Sequence, residues 1–248
     1  MGRLVFIGID DTDVLDGPGT GRVARGLVQY LESRGLGRHK GVIRHQLLVD
    51  PRIPYTSHNS AKCILFQTAE SIESLRQPCV KYMAENFQPG SDPGLCICED
   101  RQFDDEFYGY GVLAQTDYIP KSQTISLAEK WDIYLEALGG TGDGIIGALA
   151  GVSLSAGGND GRYIHLRGIK EVGRLLIVSE VKEQTDTLSV IDEQGNIVPD
   201  SALVDNLGWL RPTRIDGQPK LKVRLESSAD GNPVWQPVER KKICHEKG

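Results

Sequence analysis

Residues 3–9 read RLVFIGI, an apolar, β-branched run that breaks into Asp, Gly and Pro, the pattern of a strand entering a polar loop. From Arg22 the rhythm changes to RVARGLVQYLESRG, where Val23, Leu27, Tyr30 and Leu31 return at helical spacing and Gly35 marks a stop. The opening unit is therefore strand, glycine loop, helix. Residues 42–49 and 61–68 predict two more strands, separated by DPRIPYTSHNS, a loop polar enough to face solvent or a ligand. Residues 71–87 predict an amphipathic helix capped by Ser71, with Ile72, Leu75, Val80 and Met83 on one side and Pro78 as a kink point. Residues 90–100 read as a turn into a strand. Over 126–138, Leu127, Trp131, Tyr134, Leu135 and Leu138 recur on one helical face, and 145–154 predicts a further helix, apolar almost all round and hence buried. Beyond Arg167 the runs RLLIVSEV, TLSVID, GNIVP and KLKVRLES are short and punctuated by Gly, Pro, Asn and Asp, which predicts a β-rich part, a small barrel or an extra sheet. The fold class expected is α+β: a mixed sheet with packed helices over residues 1–168 and a small β-rich part over 169–248.

The chain of 248 residues, 39% hydrophobic, is long enough for one large domain or two small ones. Its most apolar stretch, 145–154, falls well short of the roughly 20 residues of a bilayer span, so no membrane partner is expected. The start MGRLVFIGIDDTD has neither the long apolar region nor the cleavage site of a signal peptide, and Phe6 stands where a myristoylation signal needs Ser or Thr. Five cysteines, an odd number without CxxC spacing, point to a reducing compartment, with the cytoplasm as default. Twenty-eight basic against 34 acidic residues give a net charge of −6, which argues against holding nucleic acid by bulk charge and leaves room only for a local basic groove.

Three loops carry candidate chemistry. The first, GIDDTDVLDGPGTGR, gathers Asp10, Asp11, Asp13 and Asp16 at a strand end before Gly17, Gly19 and Gly21. Crowded carboxylates need a cation or donors to offset their repulsion, and hard oxygen ligands suit magnesium. Glycines beside them let backbone N–H groups approach an anion at a helix start. The same residues are also ordinary turn and cap punctuation. Thr20, set in this loop, is a phosphate ligand, a transient phosphoryl acceptor or a helix cap. The second, GGTGDGIIGALAG, spaces Gly142, Gly144 and Gly147 as GxGxxG at a helix start; without a preceding strand it is a weak dinucleotide fingerprint, and it serves either phosphate binding or close backbone packing. No P-loop occurs. The third, IPYTSHNSA, offers Tyr55, His58 and Asn59 to a base, a ribose or solvent, with His58 able to move a proton near neutral pH. Cys96 and Cys98 share one face of a strand and read as buried small hydrophobes, with little support for zinc.

In this order the loops resemble the N-terminal portion of the archaeal agmatinylcytidine synthetase family, which modifies the anticodon of an isoleucine tRNA. The resemblance rests on GIDDTD at 8–13, the spacing of Thr20, IPY at 53–55 with Asn59, Ser60 and Ala61, DPGL at 92–95 and GIIGALA at 144–150, and covers roughly residues 3–168. It implies an atypical kinase-like domain that binds ATP and Mg2+ through its aspartates, with Thr20 taking part in phosphoryl transfer. In the family, ATP activates a cytidine carbonyl for attack by agmatine. The chain departs from the family in GPGTGR around Thr20 and in Ser57 and His58, which replace an Arg-Gly pair; no OB-fold or zinc ribbon is recognisable, so a stand-alone catalytic portion is expected. The expectation is thus a Mg2+- and ATP-dependent enzyme that transfers phosphoryl or activates an acceptor for amine attack. Asp10 and Asp11 would hold the metal, Asp13 would orient water or Thr20, and the glycines 17, 19, 21, 142, 144 and 147 would bind nucleotide. Tyr55, His58 and Asn59 would face an acceptor whose identity the sequence leaves open, with RNA or a small amine as the substrate expected besides nucleotide. The rival is a non-catalytic nucleotide sensor or an RNA-binding accessory protein.

Overall fold

The computed structural model describes residues 2–15, 17–53, 59–227 and 231–238. Twelve strands and six helices alternate along them, an α+β fold. The chain divides into two compact units, Met1–Leu166 with Arg214–Gln218, and Arg167–Thr213 with Pro219–Gly248.

The first unit is built on six strands: β1 (Arg3–Asp10), β2 (Arg38–Gln46), β3 (Ser60–Thr68), β4 (Gly94–Glu99), β5 (Tyr134–Ala137) and β6 (Arg162–His165). They pair in the order β5-β4-β1-β3-β2-β6, every pair antiparallel. The central strand β1 is buried over Val5–Ile9, as its near-continuous apolar run requires. Two helices, α1 (Thr20–Ser33) and α2 (Ile72–Asn86), close one face: Val23, Leu27 and Leu31 with Leu75, Cys79 and Met83 pack on Val5, Ile7, Ile64 and Ile97. Ser71 caps α2 by accepting the Ser74 N–H at 3.0 Å, and Pro78 sits inside that helix.

The other face is covered by α5 (Gly144–Gly157), flanked by α3 (Asp105–Thr116) and α4 (Lys121–Lys130). Helix α5 lies directly on strand backbone. A Cβ on Gly8 would stand 2.1 Å from the Ala148 carbonyl oxygen, and one on Gly94 would stand 2.2 Å from the Gly144 carbonyl carbon. Only glycine permits that approach. His45 completes the seam: its ring nitrogens meet Asp160 Oδ1 at 2.7 Å and Ser155 Oγ at 2.8 Å, tying the end of α5 to β2. Cys96 and Cys98 are buried on this face and, with Cys63 and Cys79, are free thiols; burial pushes Cys63, Cys79 and Cys98 up to about 12.

One expectation is corrected here. The 126–138 helix is instead α4, ending at Lys130, a turn with Asp132 at φ 48°, and the strand β5. Pairing of Tyr134–Ala137 satisfies the outer backbone groups of β4, which a continued helix would leave without a strand partner. Helix α3, not expected from the pattern, is capped by Asp104, which accepts the Phe107 N–H at 3.0 Å.

The second unit carries β7 (Leu175–Ile177), α6 (Val178–Gln184), β8 (Ser189–Ile191), β9 (Leu203–Asp205), β11 (Gln218–Ser227) and β12 (Pro233–Pro237), with β10 (Thr213–Ile215) at the unit boundary. Its strands run β8-β11-β12-β9-β7, with parallel pairing at both β8–β11 and β12–β9. Within RLLIVSEV only three residues are strand; the rest begins α6, where Glu180 accepts the Ile177 N–H at 2.9 Å.

Candidate functional site

A cavity of about 670 Å³ opens at the end of β1. The chain leaves the strand at Asp10 and turns at once, because Asp11 adopts a left-handed backbone (φ 49°) that Asp tolerates better than most residues. The turn is held from outside: the Asp92 N–H donates to the Asp11 carbonyl at 3.1 Å and the Gln88 N–H to the Thr12 carbonyl at 3.0 Å. Asp10, Asp11 and Asp13 all line the cavity.

Their electrostatics are unfavourable. Burial pushes the Asp10 carboxyl up to about 6; Asp13 adds repulsion, while the Lys62 ammonium and a bond from the Asp11 backbone oppose the rise. Asp11 is pushed up to about 7, by burial first and then by the charges of Asp10, Asp92 and Asp13. Lys62, on β3, is buried and pulled down to about 8 by desolvation, with Arg44 adding repulsion and Asp10 and Asp13 offsetting it.

Thr20 is the first residue of α1, and Gly19 rather than Thr20 occupies the cap position. The Thr20 hydroxyl donates to Asp13 Oδ1 at 2.6 Å and accepts the Thr12 N–H at 3.4 Å. It is thus aimed back into the aspartate loop instead of capping its own helix. Gly19 and Gly21 line the cavity; Gly17 does not, and its N–H is bound to the Val14 carbonyl at 3.0 Å.

The second glycine loop is fastened by Asp92. One carboxylate oxygen accepts the Gly142 N–H at 2.6 Å and the other the Thr141 N–H at 3.1 Å, with the Thr141 hydroxyl bonded to the latter as well. Gly140 and Gly142, at φ 61° and 84°, let the loop fold over that side chain. The Gly142 N–H is therefore spent inside the protein, and Gly142 does not line the cavity, whereas Gly144 and Gly147 do. Both are also packing glycines. A Cβ on Gly144 would fall 1.9 Å from the Asp92 carbonyl oxygen, and one on Gly147 would fall 1.7 Å from Asp10 Oδ2. The start of α5, where the Ile146 N–H donates to the Asp143 carbonyl at 2.9 Å, therefore comes up against the Asp10 carboxylate at the cavity wall.

From the third loop, Asn59 reaches the cavity, but its amide is committed to the Leu48 carbonyl at 2.7 Å. Tyr55, His58 and Asp16 lie outside the described residues. Described residues from all three loops line the one cavity. Sequence reasoning missed Asp92, Lys62 and Arg44: a lone charged residue in a strand reads as a solvated face, and only the DPGL motif drew notice to position 92. Ser155, His45 and Asp160 have the residue types of a hydrolytic triad, but Ser155 and His45 are completely buried, so their role is structural.

Magnesium fits this donor set in one respect and needs help in another. Two desolvated carboxylates at a cavity wall are the hard oxygen ligands it takes, and they carry charge the protein does not neutralise. Among the described residues no three His, Cys, Asp or Glu side chains converge as ligands, so phosphate and water oxygens would complete its shell, as is usual for this ion.

No protein-family model matches the chain, and no curated protein matches it. Solved structures do. A tRNA fluorescent labeling enzyme is 26% identical with a TM-score of 0.53, over 60% of this chain and 36% of that one. Apo TiaS, an agmatidine synthetase acting on an isoleucine tRNA, is 25% identical with a TM-score of 0.50, over 60% and 35%. TiaS in a complex with that tRNA and ATP, at 21% identity and a TM-score of 0.53 over 80% and 50%, shares the fold. The chain spans about a third to a half of the length of these structures.

Proposed function

We propose that the chain is an ATP-dependent, synthetase-like enzyme whose cavity takes Mg–ATP at the aspartate end and activates an acceptor for attack by an amine, or transfers phosphoryl to it. One observation carries the reading: Asp10, Asp11, the Asp13–Thr20 pair and the open start of α5 line a single cavity. The likeness to solved tRNA-modifying enzymes supports it, as does the size of the cavity, which falls in the range of small-molecule sites.

Asp10 and Asp11 would hold Mg2+, which, when bound, neutralises phosphate charge. The raised carboxyls of Asp10 and Asp11 would ionise fully as the cation arrives. Asp13 holds the Thr20 hydroxyl through the 2.6 Å bond and can receive its proton, leaving Oγ to orient the terminal phosphate or to attack its phosphorus as the bridging P–O bond to ADP breaks. The first N–H groups of α1 and α5, near Gly21 and Gly144, would meet phosphate oxygens. RNA as the acceptor and a small amine as the attacking group are the proposal, the RNA by analogy with a neighbour solved with tRNA.

The test is calorimetric titration of ATP with and without Mg2+, paired with phosphate or pyrophosphate release in the presence of bulk tRNA and amines. Mg2+-dependent binding that Asp10→Asn abolishes is the expected result. Magnesium-independent binding, or none, refutes the reading; binding without turnover under every acceptor favours a nucleotide sensor instead.

A further inference from the structure

The same cavity carries a pair of cations beside its aspartates. Arg44 of β2 and Lys62 of β3 are directly paired across the two antiparallel strands, so their side chains stand on the same face. Arg162 of β6 pairs with Arg44 in turn, extending a row of positive residues. Like charges placed directly opposite one another across strands are destabilising. Burial lowers the Arg44 pKa, and the Arg162 charge adds to the effect.

The hydrogen bonds of the pair go to neutral groups. Arg44 donates Nε to Ser60 Oγ at 3.1 Å and a terminal nitrogen to Gln46 Oε1 at 3.2 Å. Lys62 donates to the same Ser60 Oγ at 3.1 Å and to the Ser60 carbonyl. Among the described residues neither forms a direct ion pair with a carboxylate, although the charges of Asp10 and Asp13 favour the Lys62 ammonium. Of the five N–H donors of Arg and three of Lys, two on each are used. The rest belong to side chains that line the cavity, and Lys62 is only 8% exposed. A buried cation with no counter-ion in contact is strongly disfavoured, so the arrangement calls for an anion from outside.

We propose that Arg44 and Lys62 form a seat for a phosphate-type oxyanion. Two adjacent cations match a dianion better than a single carboxylate, and the guanidinium fork with an ammonium beside it suits tetrahedral oxygens. The phosphate can belong to the nucleotide or to the acceptor, and the chemistry recognised is the same. The seat excludes a bare cationic amine from this wall of the cavity, which leaves the aspartate side for any amine.

Inorganic phosphate is the probe, titrated calorimetrically into the wild-type chain, Arg44→Gln, Lys62→Met and the distant control Arg76→Gln. Binding should weaken about tenfold or more in the first two variants and stay unchanged in the control. In the wild-type chain, phosphate should also slow acetylation of Lys62 without protecting the exposed Lys81, a readout that survives if either variant fails to fold. If phosphate competes with a non-hydrolysable ATP analogue and both variants lose affinity for the analogue, the nucleotide supplies the anion. If phosphate and analogue bind together and the analogue is held equally well by the variants, the acceptor supplies it. Phosphate that does not bind the wild-type chain, or binds the variants as well, overturns the seat. Phosphate binding with no nucleotide binding at all would leave the seat standing and remove the function proposed above.

Discussion

Asp10→Asn is expected to stabilise the metal-free protein at neutral pH while abolishing its response to Mg–ATP. The wild-type carboxyl is pushed from 3.8 up to about 6, so a little over two pH units separate the folded and unfolded chains. At 1.36 kcal/mol per unit, ionising Asp10 in the folded state costs about 3 kcal/mol near pH 7.5. Asparagine removes that term. It keeps an oxygen for the Asp11 backbone bond but deprives Lys62 of a negative neighbour, which returns about 1 kcal/mol. A net gain of about 2 kcal/mol corresponds to a rise in Tm of about 4–8 °C for a chain of this size. The pH sense is fixed by the direction of the shift. A folded-state pKa raised above the unfolded value contributes stability that is complete below 3.8 and lost as pH rises through about 6. The advantage of the variant should therefore be full above about pH 6.5 and nearly gone at about pH 4. Thermal melts of both proteins in EDTA across that range, repeated with Mg–ATP, are the assay. With ligand at about a hundred times its Kd, the wild-type chain should gain about 2.7 kcal/mol and the variant nothing. A variant less stable than wild type in EDTA at neutral pH would refute the reasoning, since Asp10 would then be satisfied by the protein itself.

Thr20→Val, which removes the bond to the Asp13 carboxylate and strands the Thr12 N–H, should lower stability by about 2 kcal/mol in urea denaturation, with Thr20→Ser close to wild type. Only the serine variant should retain nucleotide turnover, and phosphothreonine detected by mass spectrometry after incubation with ATP would make Thr20 an acceptor. Gly147→Ala drives a methyl into the Asp10 carboxylate and should cost about 1–3 kcal/mol and displace the metal ligand, whereas Gly109→Ala, mid-helix with open space around it, should gain about 0.5–1 kcal/mol. Asp92→Asn keeps one acceptor where two are used, so the Thr141 and Gly142 amides should exchange hydrogen faster than in wild type.

Much of the fold could be read from the chain because its core elements obey a single period. The β1, β3 and β4 runs are apolar and bounded by turns, and Val23, Leu27 and Leu31 of α1 repeat on one face. The 126–138 segment defeated that logic: Leu127, Trp131 and Tyr134 keep helical spacing across a break at Asp132, and the edge strand that follows owes its state to β4, a partner far off in sequence. Helix α3 was hidden by Gly109 and Gly111, poor helix residues, although Gly111 is there because a Cβ would stand 2.7 Å from Leu154 Cγ on α5. At the site, the aspartate loop announced itself by charge density. The Arg44–Lys62 pair did not, since it exists only through the register of β2 against β3.

The glycine seam under α5 has a consequence for changing this protein. Gly8, Gly94 and Gly144 fix a floor in which main chain rests on main chain, and substitution at any of the three collides with backbone atoms that cannot swing aside. Mutational libraries aimed at new specificity will find those positions barren. Diversity is better placed on the rim, at Leu15, Arg52 and Tyr118, where side chains border the opening without supporting the sheet.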